Sequence, residues 1–120
     1  MQRETFQDKD NVRIHPIITK GGDLVNVIPA DVKIETLVRA NNLDAILDAC
    51  EKTDRALKAG ADALGAEVTI EDFPGYLPVI PNYELMDVIY ENLKELYGDD
   101  NVEYELPATA GSTDQGDVSY

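Results

Sequence analysis

His15 is the only histidine and Cys50 the only cysteine of the 120-residue chain, and that scarcity limits the chemistry the sequence can hold by itself. An ordinary zinc site needs three or four His, Cys or carboxylate ligands at suitable spacing. With one histidine, no His-x-Asp and no Glu-Glu pair, no self-contained metal centre is expected. Ser112 and Thr113 stand beside Asp114, but a hydroxyl nucleophile needs a base within hydrogen-bond reach. The single histidine is distant in sequence, so the residues alone favour a polar loop. Gly21-Gly22 is too short for a phosphate-binding fingerprint and reads as a turn. Cys50 cannot make an internal disulfide, and within an Ala/Leu-rich helical pattern it reads as a small buried hydrophobe.

Residues 12–19 (Val-Arg-Ile-His-Pro-Ile-Ile-Thr) are rich in strand formers. Alternation places Val12, Ile14 and Ile18 on one face and Arg13, His15 and Ile17 on the other. Pro16 has no N–H to donate, so this strand belongs at a sheet edge or carries an irregularity. After the Gly21-Gly22-Asp23 turn, residues 32–39 alternate again, with Val32, Ile34 and Val38 opposite Lys33, Glu35, Leu37 and Arg39. The two strands are expected to pair antiparallel. Leu43, Ile46, Leu47, Cys50, Leu57 and Leu64 recur at helical spacing, with Asn42 as the N-cap and Gly65 as the stop. Residues 67–73 alternate as a third strand would, and Pro74, Gly75, Pro78 and Pro81 end regular structure. A second helix is predicted over 83–97, striped by Leu85, Ile89, Leu93 and Leu96 between Asn82 and Gly98. Residues 102–106 suit a short strand, and Val118-Ser119-Tyr120 begins another β-compatible run. The fold class read from this order is α+β: an antiparallel sheet with helices on one face.

Ten basic residues against 24 acidic give a net charge of −14. Without a Lys/Arg cluster to replace condensed counterions, nucleic acid and anionic membrane are poor partners. No apolar run approaches the roughly 18 residues of a spanning helix, and the first residues lack the basic-then-apolar order of a signal peptide. A cytoplasmic location is expected.

The run from Arg13 through Val32, with Leu37-Val-Arg39 following, resembles the lid-domain core of the zinc-dependent aminoacylase-like metallopeptidases and amidohydrolases. The segment Gly111-Ser-Thr-Asp-Gln-Gly-Asp-Val-Ser119 is similar to a substrate-side loop of that family's catalytic domain, in the subgroup of aminobenzoyl-glutamate hydrolases and related dipeptidases. The resemblance covers essentially the whole chain. It implies a catalytic domain that binds two metal ions and an inserted ferredoxin-like lid whose edge strand and helix form a homodimer. On that mapping residues 1–73 are a partial lid, lacking its first strand and helix, and residues 74–120 re-enter the catalytic domain. The family's metal ligands and its general-base Glu-Glu pair have no counterpart here, so no cofactor is expected in this chain, whereas the parent enzyme would use zinc or another divalent metal.

Carried over by position, His15 resembles the lid histidine that reaches into the partner subunit's active site and stabilises the developing oxyanion. Asn26 resembles a residue that hydrogen-bonds the substrate, and Arg39 the binder of its carboxylate, a task suited to a planar fork of donors. Gly111, Ser112, Thr113 and Asp114 match the loop whose backbone receives substrate groups. Pro16 departs from the glycine that relatives often carry and leaves the subgroup open. The implied function is hydrolysis of a small peptide or acyl-amino acid by the parent, with this piece inactive alone and contributing dimerisation and substrate contacts. The other reading left open is a free-standing acidic α/β module for dimerisation or small-ligand binding.

Overall fold

A computed structural model describes residues 6–104, 111 and 113–120. The chain divides into two compact units, with the boundary between Phe73 and Pro74.

In the first unit, strands β1 (Arg13–Lys20) and β2 (Lys33–Arg39) form a two-stranded antiparallel sheet. The register pairs Arg13 with Arg39, His15 with Leu37, Ile17 with Glu35 and Ile18 with Ile34, then slips between Ile18 and Lys20, where Lys20 faces Lys33. The slip is a bulge that leaves Thr19 as the extra residue, and the Thr19 hydroxyl donates to the Lys33 carbonyl at 3.4 Å. In a sheet of two strands both are edges, so Pro16 sits where its missing N–H is tolerated. The connection between the strands is closed at its base by the Lys20 Nζ–Asp31 Oδ2 pair at 3.1 Å. Gly22 has φ 135°, and a Cβ there would lie 2.9 Å from Pro29 Cγ, so that position requires glycine on two counts. At the other end of the ribbon, Asn41 N–H donates to the Asp10 carbonyl (3.0 Å) and Asn41 Nδ2 to the Lys9 carbonyl (3.1 Å), tying the two flanks together.

Helix α1 (Leu43–Leu64) follows and lies against β2. Asn42 caps it, its side chain accepting from Ala45 N–H at 2.9 Å, and Gly65 ends it in the left-handed region at φ 64°. Both ends form where the sequence places them, because caps are local devices that satisfy orphan backbone groups within one turn. The buried line is not the predicted Leu stripe. It is Ala45, Ala49 and Thr53, small residues at i, i+4 and i+8 that let the helix approach closely; the Thr53 hydroxyl returns to the Ala49 carbonyl at 2.7 Å. Leu47 is exposed, Leu64 is 87% exposed, and Cys50 is half-buried rather than a core residue.

The third strand expected over 67–73 does not form: these residues are outside any ladder. Alternation is necessary for a half-buried strand, but a strand exists only when a neighbour takes up its backbone groups. The far end of the segment, Phe73, stays 81% exposed.

In the second unit, α2 (Tyr83–Tyr97) is capped by Asn82, whose side chain accepts from Leu85 N–H at 3.0 Å, and Gly98 N–H bonds back to the Lys94 carbonyl. No residue of α2 is buried, and Leu85, Ile89 and Leu96 of its stripe are exposed. Residues 102–104 are not a strand; residues 105 and 106 of that prediction lie outside the described part. Instead Tyr104 folds back on α2, its hydroxyl donating to Asp87 Oδ1 at 2.6 Å and its ring meeting Tyr90 edge-on at 4.9 Å. The β-compatible run expected from Val118 is replaced by a short helix α3 (Gln115–Val118). The described architecture is α+β. No described helix is long and apolar enough to cross a membrane.

Candidate functional site

The sheet register determines what His15 can work with. Arg13, His15 and Ile17 project to one side of β1, and their cross-strand partners Arg39, Leu37 and Glu35 project to the same side of β2. Arg39 is therefore the diagonal neighbour of His15, a relation that places such side chains roughly 7–8 Å apart. Sequence reasoning singled out both residues, and the ladder brings them onto one face.

It also adds a residue that sequence reasoning passed over. Arg13 stands directly opposite Arg39, where like charges repel unless something anionic intervenes. The Nε of Arg13 is buried and has no hydrogen-bond partner. The available signal was the alternation itself, which already put Arg13 beside His15. His15 is exposed, while Arg13 and Arg39 are half-buried.

Asn26 occupies a turn in the connection between the strands, where Val27 N–H bonds the Leu24 carbonyl at 3.3 Å. That connection leaves the ribbon at the Lys20/Lys33 end, the end opposite Arg39. Asn26 is exposed there.

Gly111, Thr113 and Asp114 belong to the second unit, and Ser112 lies outside the described residues. The Thr113 hydroxyl accepts from Gln115 N–H at 3.3 Å, and the Asp114 carbonyl accepts from Asp117 N–H at 3.1 Å. These bonds start α3, so Thr113 serves locally as a helix-start residue.

The Cys50 thiol and the Tyr104 phenol both have environments that move them. Burial, then the carboxylates of Asp72 and Asp54, push the Cys50 thiol up and keep it protonated. The hydrogen bond to Asp87 raises the Tyr104 phenol. Neither condition makes a nucleophile, because each favours the neutral form. Among the described residues no group of three His, Cys, Asp or Glu side chains could hold a metal ion. A concavity of about 450 Å³ lies along α1 among Glu51, Asp54, Arg55, Lys58, Ala59 and Asp62, and includes none of the sequence-predicted site residues. The described residues thus place Arg13, His15 and Arg39 on one face of the sheet, apart from that concavity.

The chain is homologous to a segment of dipeptidases. It is 34% identical over 119 residues to the Xaa-Arg dipeptidase of Mus musculus and 32% identical over 119 residues to that of Homo sapiens. Each alignment covers 95% of this chain, which spans only 27% of either relative. No protein-family profile matches the sequence, and no solved structure matches it. The relationship supports the coarse assignment to the peptidase and amidohydrolase class made from the residue runs around His15 and Gly111.

Proposed function

We propose that this chain forms part of the lid, and the returning segment of the catalytic domain, of a longer metal-dependent amidohydrolase that cleaves small peptides or acyl-amino acids. The observation that carries the reading is the likeness to dipeptidases along nearly the full chain, together with a strand pair that aligns His15 with two arginines. Hydrolytic chemistry would come from a divalent metal held by residues outside this chain, since none of its described residues groups into a metal site. His15 contributes a donor for the charge that develops on the scissile carbonyl oxygen, where an imidazole N–H is worth most. Arg39 holds the substrate carboxylate through its guanidinium fork, Asn26 adds a hydrogen bond, and the backbone of residues 111–114 receives the rest of the substrate.

The names of the relatives indicate dipeptides ending in arginine, and we extend that preference to the parent of this chain. A net charge of −14 is compatible with it, because a field of that sign raises the local concentration of a cationic substrate. The lid is assigned the homodimer contact, with His15 acting on the active site of the partner subunit.

The test is His15→Ala in the longer enzyme. Turnover on an Xaa-Arg dipeptide should fall about a hundredfold or more, the usual cost of one oxyanion donor, with metal content unaltered. Unchanged kcat sinks the assignment of His15.

A further inference from the structure

The second half of the Gly111–Ser119 motif bonds back onto an earlier part of the chain. Asp117 Oδ1 accepts from Leu77 N–H at 2.8 Å, across 40 residues of chain, and Ser119 Oγ accepts from Ile80 N–H at 3.0 Å. The Ser119 hydroxyl in turn donates to the Gly116 carbonyl at 2.6 Å. Gly116 is buried, and a Cβ built on it would lie 1.7 Å from the Leu77 carbonyl oxygen. Three residues of one short turn therefore grip the segment Leu77–Ile80, which has no regular structure of its own. A segment interrupted by Pro78 and bounded by Pro81 cannot satisfy its N–H groups in a helix or a ladder. Side chains of the C-terminal turn do so instead.

We infer that Gly116, Asp117 and Ser119 are positioning residues, a clasp that sets the place of Thr113 and Asp114 on the Leu77–Ile80 segment. The links are continuous. The segment is held by Asp117 and Ser119, Asp117 N–H bonds the Asp114 carbonyl, and Gln115 N–H bonds the Thr113 hydroxyl. Asp117 works through the position of its oxygen and not through its charge or basicity. The functional value of the clasp rests on the proposed role of residues 111–114 in receiving substrate; the clasp itself does not.

Amide exchange and chemical shifts of the uniformly ¹⁵N-labelled chain test it. Asp117→Ala should speed exchange at Leu77 about tenfold or more, as loss of a hydrogen bond of ordinary net strength implies, and should shift the amides of Thr113 and Asp114. Asp117→Asn keeps the acceptor oxygen and should restore both. Ser119→Ala should release Ile80 alone, and it carries the test if Asp117→Ala unfolds the unit. Gly116→Ala should disturb Leu77 and Thr113 together. Loop amides indifferent to Asp117→Ala and to Gly116→Ala would overturn the clasp, as would an Asp117→Asn chain that behaves like Asp117→Ala. Adding an Xaa-Arg dipeptide to the labelled longer enzyme separates the two ideas: shifts at Gly111 and Thr113 support the substrate loop, and their absence beside an intact clasp overturns that role alone.

Discussion

Cys50 and Tyr104 are both held above their ordinary values in the folded chain. The folded state holds the Cys50 thiol above its ordinary value, first through burial and then through Asp72 and Asp54. Its modification by a thiol reagent near pH 8 should be several-fold slower in the folded chain than after denaturation, because the thiolate is the reactive form; equal rates would contradict the packing of α1. For Tyr104 the sign runs the same way. Its folded pKa lies above the usual value of 10.0, chiefly through the hydrogen bond to Asp87. The stabilisation is complete below that usual value and is lost as pH rises through the folded pKa. Spectrophotometric titration should show a tyrosine ionising above the usual value, and Tyr104→Phe should remove that step.

The helix ends were legible in the sequence because each depends on residues within one turn. Asn42 and Asn82 accept the bonds expected of N-caps, and Gly65 adopts the left-handed conformation that a Cβ disfavours. Asn42→Ala should lower stability by about 1 kcal/mol in a thermal or urea melt, whereas a change at exposed Leu64 should do little. The β1/β2 pairing was legible for a related reason: alternation and the Gly21-Gly22 turn constrain the register, except for the bulge at Thr19. What alternation could not supply was a partner for residues 67–73. The Leu stripe of α1 misled because the helix docks through Ala45, Ala49 and Thr53, and small residues give weak periodic signals. Of the candidate site, His15 and Arg39 were singled out through the family resemblance of the run they sit in, and Arg13 was passed over because only the register sets it against Arg39. The exposed stripe of α2 gives a further expectation. Leu85 at 57% and Ile89 at 48% exposure lie one turn apart, and apolar patches of this kind drive association. Sedimentation should show the isolated chain self-associating as concentration rises, and Leu85→Glu should reduce it.

At the scale of the whole molecule, the proposed function assigns separate substrate contacts to the His15 face and to residues 111–114, and leaves the metal chemistry to residues outside this chain. The isolated chain should bind no stoichiometric zinc and hydrolyse no dipeptide or acyl-amino acid, as metal analysis and an amine-release assay would establish. The proposed division of labour across a dimer has a sharper consequence in the longer enzyme. Subunits carrying His15→Ala keep a working metal centre but lack the donor for their partner. Subunits inactivated at their own metal ligands keep the histidine. Each homodimer should be nearly inactive, and exchange of subunits between the two should restore one active site per mixed dimer. Recovery of dipeptide hydrolysis on mixing, in proportion to the mixed dimer formed, is the predicted result; verified exchange with no recovery would show that His15 does not act across the dimer.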